Sequence, residues 1–182
     1  ILQQPNLSTA GSIRIVAVLM MLLAGARWKH LSLMGIAGLA VGFAYAWVEP
    51  YRRERLLSFR NPFAQMSDEG YQLSQSLIAI GSGGLMGAGI GNSRQKYLFL
   101  PEPQNDFVFS VVCEELGVIG ALLVILLFSL LIWRGFTIVI KARDRFGAML
   151  VTGFIAQVGV QAILNMAVVT NTIPATGISL PF

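Results

Sequence analysis

The chain has 182 residues, of which 55% are hydrophobic and only 12% charged. Soluble domains average about 25% charged residues, so this composition argues against a soluble enzyme, a nucleic-acid-binding module or a disordered linker. The net charge of +4, from 13 basic and 9 acidic residues, is too small for a basic nucleic-acid groove. One cysteine, Cys113, and one histidine, His30, leave no internal disulfide, no Cys- or His-based metal cluster and no Ser-His-Asp triad. The composition predicts an all-α, polytopic integral membrane bundle.

Four segments are apolar and long enough to approach the roughly 20 residues that a membrane helix requires. The first runs from about Ser12 to Ala26, extendable back to Leu7 and interrupted by Arg14. The second covers about Leu31 to Val48 and closes at Glu49-Pro50. The third begins near Phe107 and ends at Trp133, and the fourth lies between about Phe146 and Thr170. Arg27, Lys29 and His30 join the first two spans, while Arg134, Lys141, Arg143 and Arg145, opposed by Asp144, join the last two. Short basic loops stay in the cytoplasm, which places the segment 49–106 and Phe182 outside. Arg52, Arg53, Arg55 and Arg60 lie in that long outer loop, where the charge rule has little force.

An outer segment of this length is too long for a simple connector. Tyr71, Leu73, Leu77, Ile78 and Ile80 supply an apolar face suited to lying on the membrane or the bundle. The glycine-rich run 81–92 that follows permits tight turns and close backbone approach, or an anion-binding nest of amides. No strand precedes it and no Gly-Lys-Ser/Thr closes it, so neither a P-loop nor a dinucleotide fingerprint is present. Turns and tight packing are the favoured reading.

The segment Lys96 to Phe107 then brings two prolines and Asp106 to the mouth of the third span. Asp106 suits a helix N-cap and equally a general base at the membrane surface. The two roles are compatible. Glu114 and Glu115 follow roughly 12 Å further along the helix. Buried carboxylates at such a depth face a polar cavity or a partner. At about 100° per residue, Glu114 falls some 80° from Asp106 and Glu115 on the opposite side, which assigns Glu114 to the site and Glu115 to a neighbouring helix. Gln157, Gln161 and Asn165 recur every four residues on the fourth span, a seam best read as interhelical hydrogen bonding.

At these residues the chain resembles the SEDS family (shape, elongation, division and sporulation) of membrane glycosyltransferases that polymerise peptidoglycan. The resemblance is carried by QPNLSTA at 4–10, PYRRERLLSF at 50–59, GYQLSQSLIAIGSGGLMGAGIGNSRQK at 70–96, LPEPQNDFVFSVVCEELGVIGA at 100–121 and IPATGISLPF at 173–182. Pro-Tyr-Arg and Gly-Asn-Ser-x-Gln-Lys look more like the FtsW-like division and sporulation branch than the RodA-like branch. Two positions depart from the family pattern: Asn6 stands where an acid is usual, and Asn61 replaces the usual Asp before Pro62.

The resemblance implies a ten-span fold in which residues 1–182 form a single membrane domain truncated at both ends, its spans corresponding to the sixth through ninth. It implies that Asp106 is the essential acid of the site. The implied reaction joins lipid II units: a sugar hydroxyl attacks an anomeric carbon and expels undecaprenyl pyrophosphate. A hydroxyl nucleophile needs a base, and the departing pyrophosphate needs positive charge. Arg52, Arg55, Arg94 and above all Lys96 are the candidate cations; Glu114, Gln75 and Asn105 are further candidate substrate contacts, and a divalent cation, magnesium or manganese, is a candidate cofactor. Implied partners are a class B penicillin-binding protein, other divisome proteins and membrane lipids, and no nucleic acid, in the bacterial cytoplasmic membrane at the division septum with an extracytoplasmic site. A lipid II flippase, which would place its polar groups near midplane, and a non-enzymatic division scaffold are the competing readings.

Overall fold

The structure is a computed structural model that describes residues 7–27, 29, 31–33, 35–38, 63, 68–95, 106–174 and 180–181. Four helices organise them: α1 (Leu7–Leu23), α2 (Asp68–Gly83), α3 (Val108–Lys141) and α4 (Arg145–Val169). No strand occurs among the described residues. α3 packs along α4, α2 lies against α3 and touches α4, and α1 lies against α4.

The third and fourth predicted spans are present as helices of 34 and 25 residues, both apolar and long enough to cross a membrane. α3 starts where the apolar pattern starts but runs eight residues past Trp133, to the basic Lys141. At about 1.5 Å per residue it is roughly 51 Å long, well beyond the roughly 30 Å of a hydrocarbon core. α4 is started by Asp144, whose carboxylate accepts the Gly147 N–H at 2.5 Å, a usual N-cap arrangement. α1 ends at Leu23, three residues before the predicted limit. Arg14 on α1 reaches the Gly38 carbonyl at 3.4 Å, so its charge is directed at a backbone acceptor beside the helix. Of the predicted second span, 31–33 and 35–38 are helical; the remainder lies outside the described residues.

Small residues let α3 and α4 approach, as in membrane interfaces generally. A side chain at Gly135 would overlap Ile155, and Gly159 faces Ile132. Hydroxyls in the apolar helices are satisfied within their own turns: Ser129 donates to Ile125 O, Thr137 to Trp133 O and Thr152 to Ala148 O. A wholly apolar cavity of about 220 Å³ opens between α1, α3 and α4, lined by Leu19, Leu23, Ile132, Phe136, Ile155 and Ile163 among others. It lies toward the basic-hairpin end of α3, away from Asp106, and carries no group suited to proton transfer.

At the other end, Phe107, Phe109, Cys113 and Val169 form a buried cluster, with Ile80 and Met166 packed on it. The apolar face expected on 71–80 is turned to the bundle only in part: Leu73 is buried and Ile80 packs on this cluster, Tyr71 and Leu77 are half-buried, Ile78 is exposed, and Ser76 donates to the Val169 carbonyl on α4 at 3.1 Å.

Candidate active site

Asp106 occupies a turn immediately before α3 and is partly exposed. It is not the helix cap. Phe107 is the N-cap residue and makes no side-chain capping bond, while Ser110 closes the first turn by donating its hydroxyl to the Phe107 carbonyl at 2.7 Å. What holds Asp106 is α4: the buried Asn165 amide donates to the Asp106 carbonyl at 2.8 Å. The expected interhelical bonding along the Gln157–Gln161–Asn165 seam is thus realised at Asn165, and its acceptor is the backbone of the candidate base.

The glycine-rich segment is built into α3. Gly117 has φ 67° and ψ −162°, which breaks the helix. In an unbroken helix the Val118 and Ile119 amides would bond the Glu114 and Glu115 carbonyls. Here Val118 N–H donates to Gly84 O at 3.0 Å and Ile119 N–H to Leu85 O at 3.4 Å. The carbonyls of Glu114 and Glu115 accept from Ala88 N–H at 2.9 Å and Gly89 N–H at 3.0 Å. Every backbone group that the break exposes at these two steps is taken by residues 84–89, as a low-dielectric setting requires. The fit demands glycine: a Cβ at Gly83 would strike the Cys113 carbonyl, one at Gly87 the Glu115 carbonyl, and one at Gly117 the Gly87 amide. Turns and close packing, the favoured sequence reading, are what the segment does.

The end of this segment is fastened by Glu114, which is buried (3% exposed). One carboxylate oxygen accepts from Ser93 Oγ at 2.5 Å; the other accepts the Arg94 N–H at 3.0 Å and the Gln95 N–H at 3.4 Å. Arg94 and Gln95 are helical, and the first amides of a helical turn lack intrahelical partners. The anion in this nest is a side chain of the protein itself. The expected split between the two glutamates, Glu114 at the site and Glu115 on a neighbouring helix, meets a different packing. Glu114 is the structural partner, whereas Glu115 is half-buried and its Oε1 has no hydrogen-bond partner among the described residues. Helical spacing alone gives the direction of each glutamate around α3 but not that residues 93–95 of a distant loop fold onto Glu114.

Of the candidate contacts, Arg94 is exposed and Gln75 half-buried on α2. Lys96, Arg52, Arg55 and Asn105 lie outside the described residues. Among the described residues no group of three or more His, Cys, Asp and Glu side chains could hold a metal ion. Sequence reasoning missed Ser93, Ser76 and the break at Gly117. An isolated glycine in an otherwise apolar helical run was the available signal for the break.

A helical membrane bundle with an acid at a helix mouth and a loop fastened beside it is the architecture to set against known proteins. The family model described as cell cycle protein (FtsW/RodA/SpoVE) matches residues 1–182, and the chain belongs to this family. It is 44% identical over 182 residues to Stage V sporulation protein E of Bacillus subtilis, covering 100% of this chain and 50% of that protein. It is 48% identical over 166 residues to a Halomonas elongata protein named "Probable peptidoglycan glycosyltransferase FtsW", covering 89% of this chain and 42% of that protein. The chain thus spans about half the length of the curated relatives it matches. A solved structure described as "Structural coordination of polymerization and crosslinking by a peptidoglycan synthase complex" superposes with a TM-score of 0.75 at 28% identity, over 99% of this chain and 50% of the other.

Proposed function

We propose that this chain carries the acid-bearing half of a peptidoglycan glycosyltransferase that polymerises lipid II during division or sporulation. The supporting observation is the mounting of Asp106: partly exposed at the head of α3, pinned to α4 through Asn165, beside a loop locked into the same helix. Asp106 accepts the proton of the incoming saccharide hydroxyl. The oxygen forms a bond to the anomeric carbon of a second lipid II, or of a growing glycan, and the bond from that carbon to the pyrophosphate oxygen breaks. Undecaprenyl pyrophosphate departs with the electron pair, stabilised by the cations Arg94, Lys96, Arg52 and Arg55, with Gln75 and Asn105 as sugar contacts. Counting back about 20 residues from Trp133, the hydrocarbon core reaches Glu114, which leaves Asp106 roughly 12 Å beyond it in the outer headgroup layer. The basic hairpin 141–145 at the opposite end of α3 sets that end in the cytoplasm.

A broken membrane helix is also a feature of transporters, where unwound backbone binds the cargo. Here the exposed amides and carbonyls are occupied by residues 84–89, which favours the surface reaction over a flippase. The similarity to a synthase complex for polymerization and crosslinking supports a class B penicillin-binding protein as partner, and the proposed septal location rests on the resemblance to the division branch alone. The test is polymerisation of purified lipid II by the complete protein, followed on gels with and without chelator. Asp106→Ala is expected to lose at least about 100-fold in rate while membrane insertion and partner binding persist. Full glycan synthesis by that variant would overturn the assignment.

A further inference from the structure

We infer that Glu114 is a positioning residue: a buried carboxylate latch that holds the cation-bearing end of the glycine-rich segment in register with Asp106. The inference rests on the polymerase reading only for its kinetic consequence; the latch itself stands on geometry. Glu114 lies on the short part of α3 before the break at Gly117, and Asp106 lies in the turn that leads directly into that part through the N-cap Phe107. From that part the Glu114 and Glu115 carbonyls hold the amides of residues 88 and 89, the Val118 and Ile119 amides just past the break hold the carbonyls of residues 84 and 85, and three more bonds tie residues 93–95 to the Glu114 carboxylate. Ser93, Gln95 and Glu114 are all buried, whereas Arg94 between them is exposed. The latch therefore turns one side chain of the segment outward and ties down its neighbours, and Lys96 follows directly in the chain.

No cation is needed to hold Glu114 in place. Its charge is met by two backbone N–H groups and a hydroxyl, donors that cannot titrate near neutrality and that fix direction as well as distance. A side chain so engaged has both oxygens committed to the protein. Its effect on the reaction passes through Arg94 and Lys96.

The complete protein with cysteine at position 95, in a background lacking other cysteines, reports the latch directly. The Gln95 bond to Glu114 is made by the backbone, so the substitution retains it, and the position is buried. Adding Glu114→Ala is expected to raise maleimide labelling of that cysteine about tenfold or more, since hydrogen bonds to a charged group are lost together. Glu114→Gln keeps an acceptor for the two amides and a donor for Ser93, and is expected to show near-parental labelling. Ser93→Ala, which removes one bond and folds more safely, is expected to fall between. Polymerisation rates of the same set are expected to follow the labelling order, with the Gln variant rescuing most of the rate that Ala loses. Unchanged labelling in Glu114→Ala overturns the latch. So does a Gln variant as inactive as Ala with the segment still closed, because the negative charge itself would then be at work. A polymerase that survives loss of Asp106 sinks the base assignment but leaves the labelling result intact, so the two failures are separable.

Discussion

The two parts of α3, before and after Gly117, differ in what surrounds them although both are apolar. Before the break, Phe109, Ser110, Cys113 and Glu114 are buried against α2, α4 and the glycine-rich segment. After it, only Gly120 and Gly135 are buried, and large side chains from Leu122 to Ile140 stand exposed. The second part, 24 residues and about 36 Å, is long enough to span a membrane alone. The first part is a mounting block. Hydrophobicity is the common material, but after the break most of it stands exposed, Ala121 and Val124 packing on the buried cluster, while the first part uses it to set the position of an acid and a loop.

Substitutions on either side of the break should separate these roles. The largest effect is expected at Gly117 itself. Alanine there adds a Cβ that meets the Gly87 amide, at a positive φ that non-glycine residues disfavour. A loss of at least about 2 kcal/mol in stability is expected, read as a lowered thermal midpoint in detergent; Gly117→Ala that unfolds like the parent would dissolve the distinction. Asn165→Ala comes next. Removing the donor to the Asp106 carbonyl should cost about 1–2 kcal/mol, and should lower polymerisation more than lipid II binding, since Asp106 stays present but less well placed. In the spanning part, Gly135→Ala overlaps Ile155 and should cost about 1–3 kcal/mol through forced separation of α3 from α4, without selective loss of activity in the folded fraction. The smallest effect belongs to Leu126→Ile, at an exposed position, where a change within about 0.5 kcal/mol is expected. A loss there matching Asn165→Ala would mean that the part of α3 after Gly117 is packed at this position rather than exposed.

Much of this was legible without coordinates, and the residues show why. The starts of α3 and α4 follow from unbroken apolar runs behind Phe107 and Arg145, because a helix in lipid must satisfy its own backbone. The end of α3 was set too early at Trp133, since Arg134 ends the hydrophobic run but not the helix. Asp106 was placed one residue wrong for a cap, because capping is decided by the dihedral angles of a single residue.

The sequence by itself determined the membrane class, the polar break points, the family and the acid at the helix mouth, all of which depend on local composition or residue order. Only the tertiary structure decided that residues 84–95 fold into the gap at Gly117, that Glu114 rather than Glu115 is their anchor, and that Asn165 grips Asp106. Those contacts join residues 19 to 59 positions apart. Nothing in local spacing encodes which buried donor will meet which buried acceptor, because that pairing is set by how the helices pack.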